Sequence, residues 1–177
     1  APAAAAAPAE PDATAYAPSA RTIVIDLPQT GQAAVSMGLR GITRRDPNYF
    51  PLVVANAVLG GGYSARLNEE IRIRRGLSYG ANSSLSARVA PGPIIASAQT
   101  RNNAAVQVYQ LMSAEIARLG HTPIAADELS ARKAALIGSF GRTIETTSGL
   151  AGQISSLARY GLPPEELQSY VAHVDGV

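Results

Sequence analysis

One stretch governs what this chain can become: AVLGGGYSARLNEEIRIRRGLSY, residues 57–79. It ends one apolar helix, turns on three glycines, starts a charged helix, stops at Gly76 and enters a strand. Three residues without a Cβ make a tight turn with close backbone packing the natural reading of Gly60-Gly61-Gly62. Arg72 and Tyr79 lie seven positions apart on either side of the stop. A chain reversal there allows both side chains to point toward one place.

The rest of the chain sets limits on what happens at that place. With 177 residues, 46% hydrophobic and 16% charged, there is apolar material for one sizeable core. Net charge is only +2 and the arginines are dispersed, which argues against a nucleic-acid surface. Cysteine is absent, so disulfides and thiolate metal sites are excluded. No apolar run approaches the roughly 18 residues that a membrane helix needs. Residues 1–20 have no basic start and no Leu-rich centre, unlike a signal peptide. Instead they form an Ala/Pro tract with prolines at 2, 8, 11 and 18. Such a tract reads as a linker or extended tail, and the expectation is a piece of a longer protein.

Residues 21–27 read as a first strand and 33–41 as a second, with Ala33, Val35, Met37 and Leu39 on one face. Asp46-Pro47 is expected to open a helix, Asp as cap and Pro in the first helical position. Tyr49, Phe50, Leu52, Val53, Ala57 and Leu59 give that helix a broad apolar face. In the polar helix 64–75, Leu67 and Ile71 form an apolar pair, and Arg66 and Glu70 are placed to pair at i, i+4. Gly76 fits a left-handed stop, with Leu77 folding back on Ile71. Residues 77–88 and 93–101 then read as a hairpin around Ala90-Pro91-Gly92.

Asn102 or Asn103 is expected to cap a third helix with the stripe Ala105, Val108, Met112, Ile116 and Leu119, ending at Gly120. A helical region 125–160, broken near Thr146, and a last helix opened by Pro163-Pro164 complete the pattern. Residues 21–177 thus read as one α+β domain, a mainly antiparallel sheet with helices packed on one face.

Few residues carry chemistry. The two histidines, His121 and His173, have no Glu or His at i±3 or i±4, which argues against a zinc site in this chain. The glycine run lacks the Lys-Ser/Thr of a phosphate loop and follows a helix rather than a strand. Ser64 and Ser78 sit near glycines, but no G-x-S-x-G elbow exists. For Arg72 and Tyr79, spacing leaves two readings open. One is a solvated helix charge with a half-buried strand residue. The other is a guanidinium and a phenol that hold a peptide carbonyl or steady an oxyanion.

L-G-G-G-x-S-A-R-L-x-x-E-I-R followed by R-G-L-S-Y resembles the non-catalytic half of the pitrilysin/insulinase-type zinc metallopeptidases, a superfamily that includes the mitochondrial processing peptidase. The motif lies at 59–67, 70–72 and 75–79, and the element order agrees from about 21 to 177, all but the tail. The resemblance implies paired homologous halves around a peptide-binding chamber. One half carries zinc on an H-x-x-E-H motif, and the other carries an Arg and a Tyr seven residues apart that reach the substrate backbone. Arg72 and Tyr79 match that pair, and this chain has no H-x-x-E-H. The implied zinc is therefore in a partner half, in the same polypeptide or another, with a peptide as substrate. The family's domain also implies a further helix and closing strands beyond Val177, and the Ala/Pro tract a linker or an exported, periplasmic subunit. The same fold occurs as a structural core subunit of a respiratory complex, so a non-catalytic assembly role is the rival expectation.

Overall fold

The computed structural model describes Thr22, Ile23, Ile25 and residues 29–177. The expected tail 1–20 lies outside the described residues, as does most of the expected first strand. Of that strand, Thr22, Ile23 and Ile25 are described and are not in strand conformation.

Among the described residues three strands form an antiparallel sheet in the order β1 (Ala33–Arg40), β3 (Pro93–Thr100), β2 (Ser78–Leu85). The hairpin is as expected, with Leu85 opposite Ile94. Alternation puts Ala81, Ser83, Ala96, Ala98 and Thr100 on the buried face and leaves Asn82, Ser84, Ile95 and Gln99 exposed. The small buried residues let helices approach closely. Helices α1 (Tyr49–Leu59) and α3 (Ala105–His121), with the short α2 (Arg66–Asn68) between them, cover that face. Leu59, Leu67, Ile71, Leu77, Val108 and Met112 fill the core, and both Leu67 and Ile71 are fully buried. The fold class is thus the one expected.

Helices α4 (Ala126–Ile144), α5 (Thr147–Arg159) and α6 (Glu166–Asp175) follow. α4 and α6 pack on α1 rather than on the sheet. There Phe140 stacks on Tyr170 at 4.0 Å, and Tyr170 meets Phe50 edge-on. The expected break is real: the Thr146 hydroxyl accepts from the Gly149 amide at 3.0 Å and caps α5.

Three local expectations are corrected. α1 begins at Tyr49 because the Asp46 carboxylate accepts from the Asn48 amide at 2.8 Å, an Asx turn outside the helix. Its buried side is Val54, Ala57, Val58 and Leu59 rather than its first turn. Before α3, Asn102 opens a 3₁₀ turn (Asn102–Ala104) and donates to the Thr30 carbonyl, so neither asparagine caps by side chain. Gly120 lies inside α3, which ends one residue later.

The third correction is Arg66, which does not pair with Glu70. Its side chain is only 7% exposed and faces α4, where Glu128 accepts from Nε at 2.9 Å and from Nη2 at 2.6 Å. Glu70 pairs with Arg75 at 2.5 Å and with Arg74 at 3.4 Å. The Arg66 hydrogen bond holds the Glu128 carboxyl below its ordinary 4.5, against the opposing effect of burial. A depressed carboxylate stabilises the fold above its unfolded-state pKa, and the gain is lost as pH falls through the folded value. Glu128→Gln should therefore cost about 2–3 kcal/mol at pH 7, less than the ~3–5 of a wholly buried pair because Glu128 keeps some exposure. Urea unfolding should show the gap between variant and parent narrowing below pH 4.5.

A candidate peptide-contact site at the glycine turn

The site begins where α1 ends. A Cβ on Gly60 would lie 2.2 Å from the Ser83 nitrogen, and one on Gly61 2.7 Å from the Ala57 Cα. Only glycine fits these two positions, and the turn is pressed against β2, where the Ser83 amide donates to the Gly60 carbonyl at 3.1 Å. Tyr63 stands out of this turn, 65% exposed.

After α2 the helix widens into a π turn, Glu69–Ile73, in which the Arg74 amide reaches back to the Glu69 carbonyl at 2.9 Å. Single π turns inside helices are frequent at functional sites, and this one carries Arg72. Gly76 adopts the left-handed conformation at φ +59°, and the Leu77 amide returns to the Ile71 carbonyl at 2.9 Å. This is the stop expected from the sequence.

β2 then opens with a bulge. Ser78 faces Thr100 and Ala81 faces Ala98, so Tyr79 and Gly80 together oppose the single residue Gln99. The Ser78 hydroxyl accepts from the Gly80 amide at 3.1 Å and holds the bulge. Tyr79 is 89% exposed, so it is no half-buried core residue.

These elements bring Arg72 and Tyr79 together and add a residue that sequence reasoning missed. The Arg72 guanidinium carbon lies 4.8 Å from the Tyr79 ring centroid and 4.9 Å from that of Tyr63. Both are within the range of a cation–π contact. Arg74 and Arg75 are neutralised by Glu69 and Glu70, whereas Arg72 has no hydrogen bond or ion pair among the described residues. Arg72 lines a cleft of about 490 Å³ between the turn and residues 80–83 of β2. Across the Tyr79 strand a second hollow, about 430 Å³, is lined by Ser36, Ser97 and Gln99. Apart from Arg72, no charged side chain among the described residues lines either. The outer edge of β2 is occupied here, since Ala81 donates to Asn68 and Ser83 to Gly60.

The family model for the peptidase M16 inactive domain matches residues 2–136, well over half of the chain. The chain belongs to this family. An uncharacterized zinc protease of Streptomyces coelicolor is 31% identical over 126 residues, covering 71% of this chain and 28% of its own length. The M16 inactive domain structure from Pseudomonas fluorescens superposes with a TM-score of 0.78 at 28% identity, covering 84% of this chain and 35% of that one. The periplasmic protease PqqL of Escherichia coli shares the fold at 17% identity, with a TM-score of 0.67 over 84% of this chain and 17% of that one. The chain therefore spans about a quarter to a third of these first two relatives.

Among the described residues no three His, Cys, Asp or Glu side chains converge to hold an ion. His121 ends α3, exposed, and the His173 ring lies against Phe50 at 4.6 Å. The described residues therefore offer no ligand set for zinc. Among the described residues no helix is long and apolar enough to cross a membrane.

Proposed function

We propose that this M16 inactive domain is the substrate-binding and transition-state-assisting half of a two-half zinc peptidase. The observation that carries it is Arg72, a guanidinium within 4.9 Å of two ring centroids that lines the cleft and has no counter-ion among the described residues. A cation with unspent donors is suited to a peptide carbonyl, whose oxygen has lone pairs to offer and gains charge during hydrolysis. The Tyr79 hydroxyl, on the exposed bulge beside it, supplies a second donor to the same oxygen. A zinc-bearing homologous half holds the metal and its H-x-x-E-H ligands. This chain binds and orients the peptide and stabilises the oxyanion.

Such a site has no use in a purely structural subunit. There an unpaired arginine is better paired or replaced, as Arg74 and Arg75 beside it are paired. A periplasmic or otherwise exported location belongs to the same proposal. It is the location of the E. coli protease with this fold, and it accords with the Ala/Pro tract at residues 1–20.

Peptide hydrolysis should be measured with this chain, with its zinc-bearing counterpart, and with the two mixed. Activity is expected only in the mixture and should be lost with Arg72→Ala. No hydrolysis from a stable, zinc-loaded mixture would assign the chain to assembly instead. Hydrolysis by this chain alone would place the catalytic site elsewhere in it.

A further inference from the structure

We propose that Asn68 is a positioning residue for the Arg72–Tyr79 pair: its carboxamide fixes the separation of the two aromatic walls that grip the Arg72 guanidinium. The proposal rests on the reading of Arg72 and Tyr79 as peptide contacts.

Asn68 is the last residue of α2, one helical turn before Arg72, and is only 4% exposed. Its Nδ2 donates to the Tyr63 carbonyl at 2.5 Å, and its Oδ1 accepts from the Ala81 amide at 3.2 Å. Tyr63 carries one wall of the clamp, and Ala81 lies two residues after the other wall, Tyr79, on β2. One side chain therefore ties together the turn, the helix and the strand that supply the three stacked groups.

The tie sits between two other anchors of the turn: Ser83 donates to the Gly60 carbonyl before it, and Arg132 donates to the Ser64 hydroxyl at 2.9 Å and to the Ser64 carbonyl after it. Nothing lies within 4 Å of where a Gly62 Cβ would be, and the Tyr63 ring is largely in solvent. A side chain of this length must donate and accept at once. A carboxamide does both, a carboxylate only accepts, and an alkyl group does neither. A cation is held by a ring face within about 6 Å of its centroid, so a shift of the turn by ~1 Å takes the Tyr63 contact from 4.9 Å to the edge of that range. A misplacement of ~1 Å in a substrate-positioning group can cost on the order of 10²-fold in rate.

The clamp can be read without substrate or partner. Protons above a ring face resonate upfield, so the Arg72 Cδ methylene reports on its neighbours, and its assignment follows from its loss in Arg72→Lys. In the whole chain these resonances should be upfield of free arginine. They should move to the free position in Asn68→Ala and in a Tyr63→Leu/Tyr79→Leu double variant, with amide dispersion retained. Asn68→Asp, which keeps only the bond from Ala81, should give an intermediate shift. If Asn68→Ala does not fold, the isosteric Asn68→Asp decides by the same criterion. An Arg72 resonance at the free position in the parent chain, or one unmoved in a folded Asn68 variant, overturns the proposal. In the mixture with the zinc-bearing half, Asn68→Asp should lower kcat more than it raises KM. A displaced Arg72 with undiminished hydrolysis would support the role of Asn68 in the clamp and overturn the peptide-contact reading alone.

Discussion

Tyr79→Phe should slow peptide hydrolysis by the assembled halves about 10²- to 10³-fold, the usual cost of one oxyanion donor, on the order of 3–4 kcal/mol. The substitution removes one oxygen and keeps the ring, so the contact with Arg72 at 4.8 Å survives. Tyr79 is 89% exposed and its hydroxyl bonds to nothing among the described residues. Stability should therefore stay within about 0.5 kcal/mol of the parent, as for most surface changes. An interaction made only in the transition state lowers kcat and kcat/KM together and leaves KM nearly unchanged. Paired kinetics and urea unfolding check both halves of the expectation. Unchanged turnover would remove Tyr79 from the mechanism. A large loss of stability would mean that its hydroxyl has a structural partner.

The second large effect is on the fold. Gly60→Ala should destabilise the domain by on the order of 3 kcal/mol, the upper part of the range for forcing atoms into a well-packed site. The added methyl would lie 2.2 Å from the Ser83 nitrogen and 2.7 Å from the Asn82 carbonyl carbon. Both are backbone atoms of β2 and cannot swing aside. A left-handed backbone is not the cause, since Gly60 has a negative φ of −157°; the close contact sets the cost. To relieve the contact the turn must lift from β2, which breaks the bond from Ser83 to the Gly60 carbonyl and displaces Tyr63. Gly62→Ala is the control: its Cβ meets nothing within 4 Å, and stability should change by less than about 0.5 kcal/mol. Differential scanning calorimetry separates the two. Equal effects would show that the turn is not seated on β2.

What was legible in the sequence was local. Gly76 as a left-handed stop, the hairpin around Pro91, the Thr146 cap and the Leu67/Ile71 pair each depend on residues within a few positions of one another. Turn chemistry and periodicity act over that range and leave their mark in composition. The helix stop and short reversal between Arg72 and Tyr79 belong with them, though not the aim of the two side chains. Where local rules competed, the sequence misled. Asp46 and Pro47 satisfy the rule for a helix start, yet the Asx turn at Asn48 moves the helix to Tyr49.

By itself, then, the sequence determined the α+β class and the order of the described elements from β1 onward. Tertiary structure decided the rest, because it depends on which elements touch. Arg66 reaches Glu128 across 62 residues, and no i, i+4 rule can see a partner on another helix. The π turn under Arg72 and the bulge under Tyr79 re-aim both side chains, and neither leaves a compositional signature. Tyr63 became the second wall of the clamp only when the turn settled on β2, and Asn68 its tether only across the 13 residues to Ala81. Close approach of backbones is decided by packing. Glycine merely permits it.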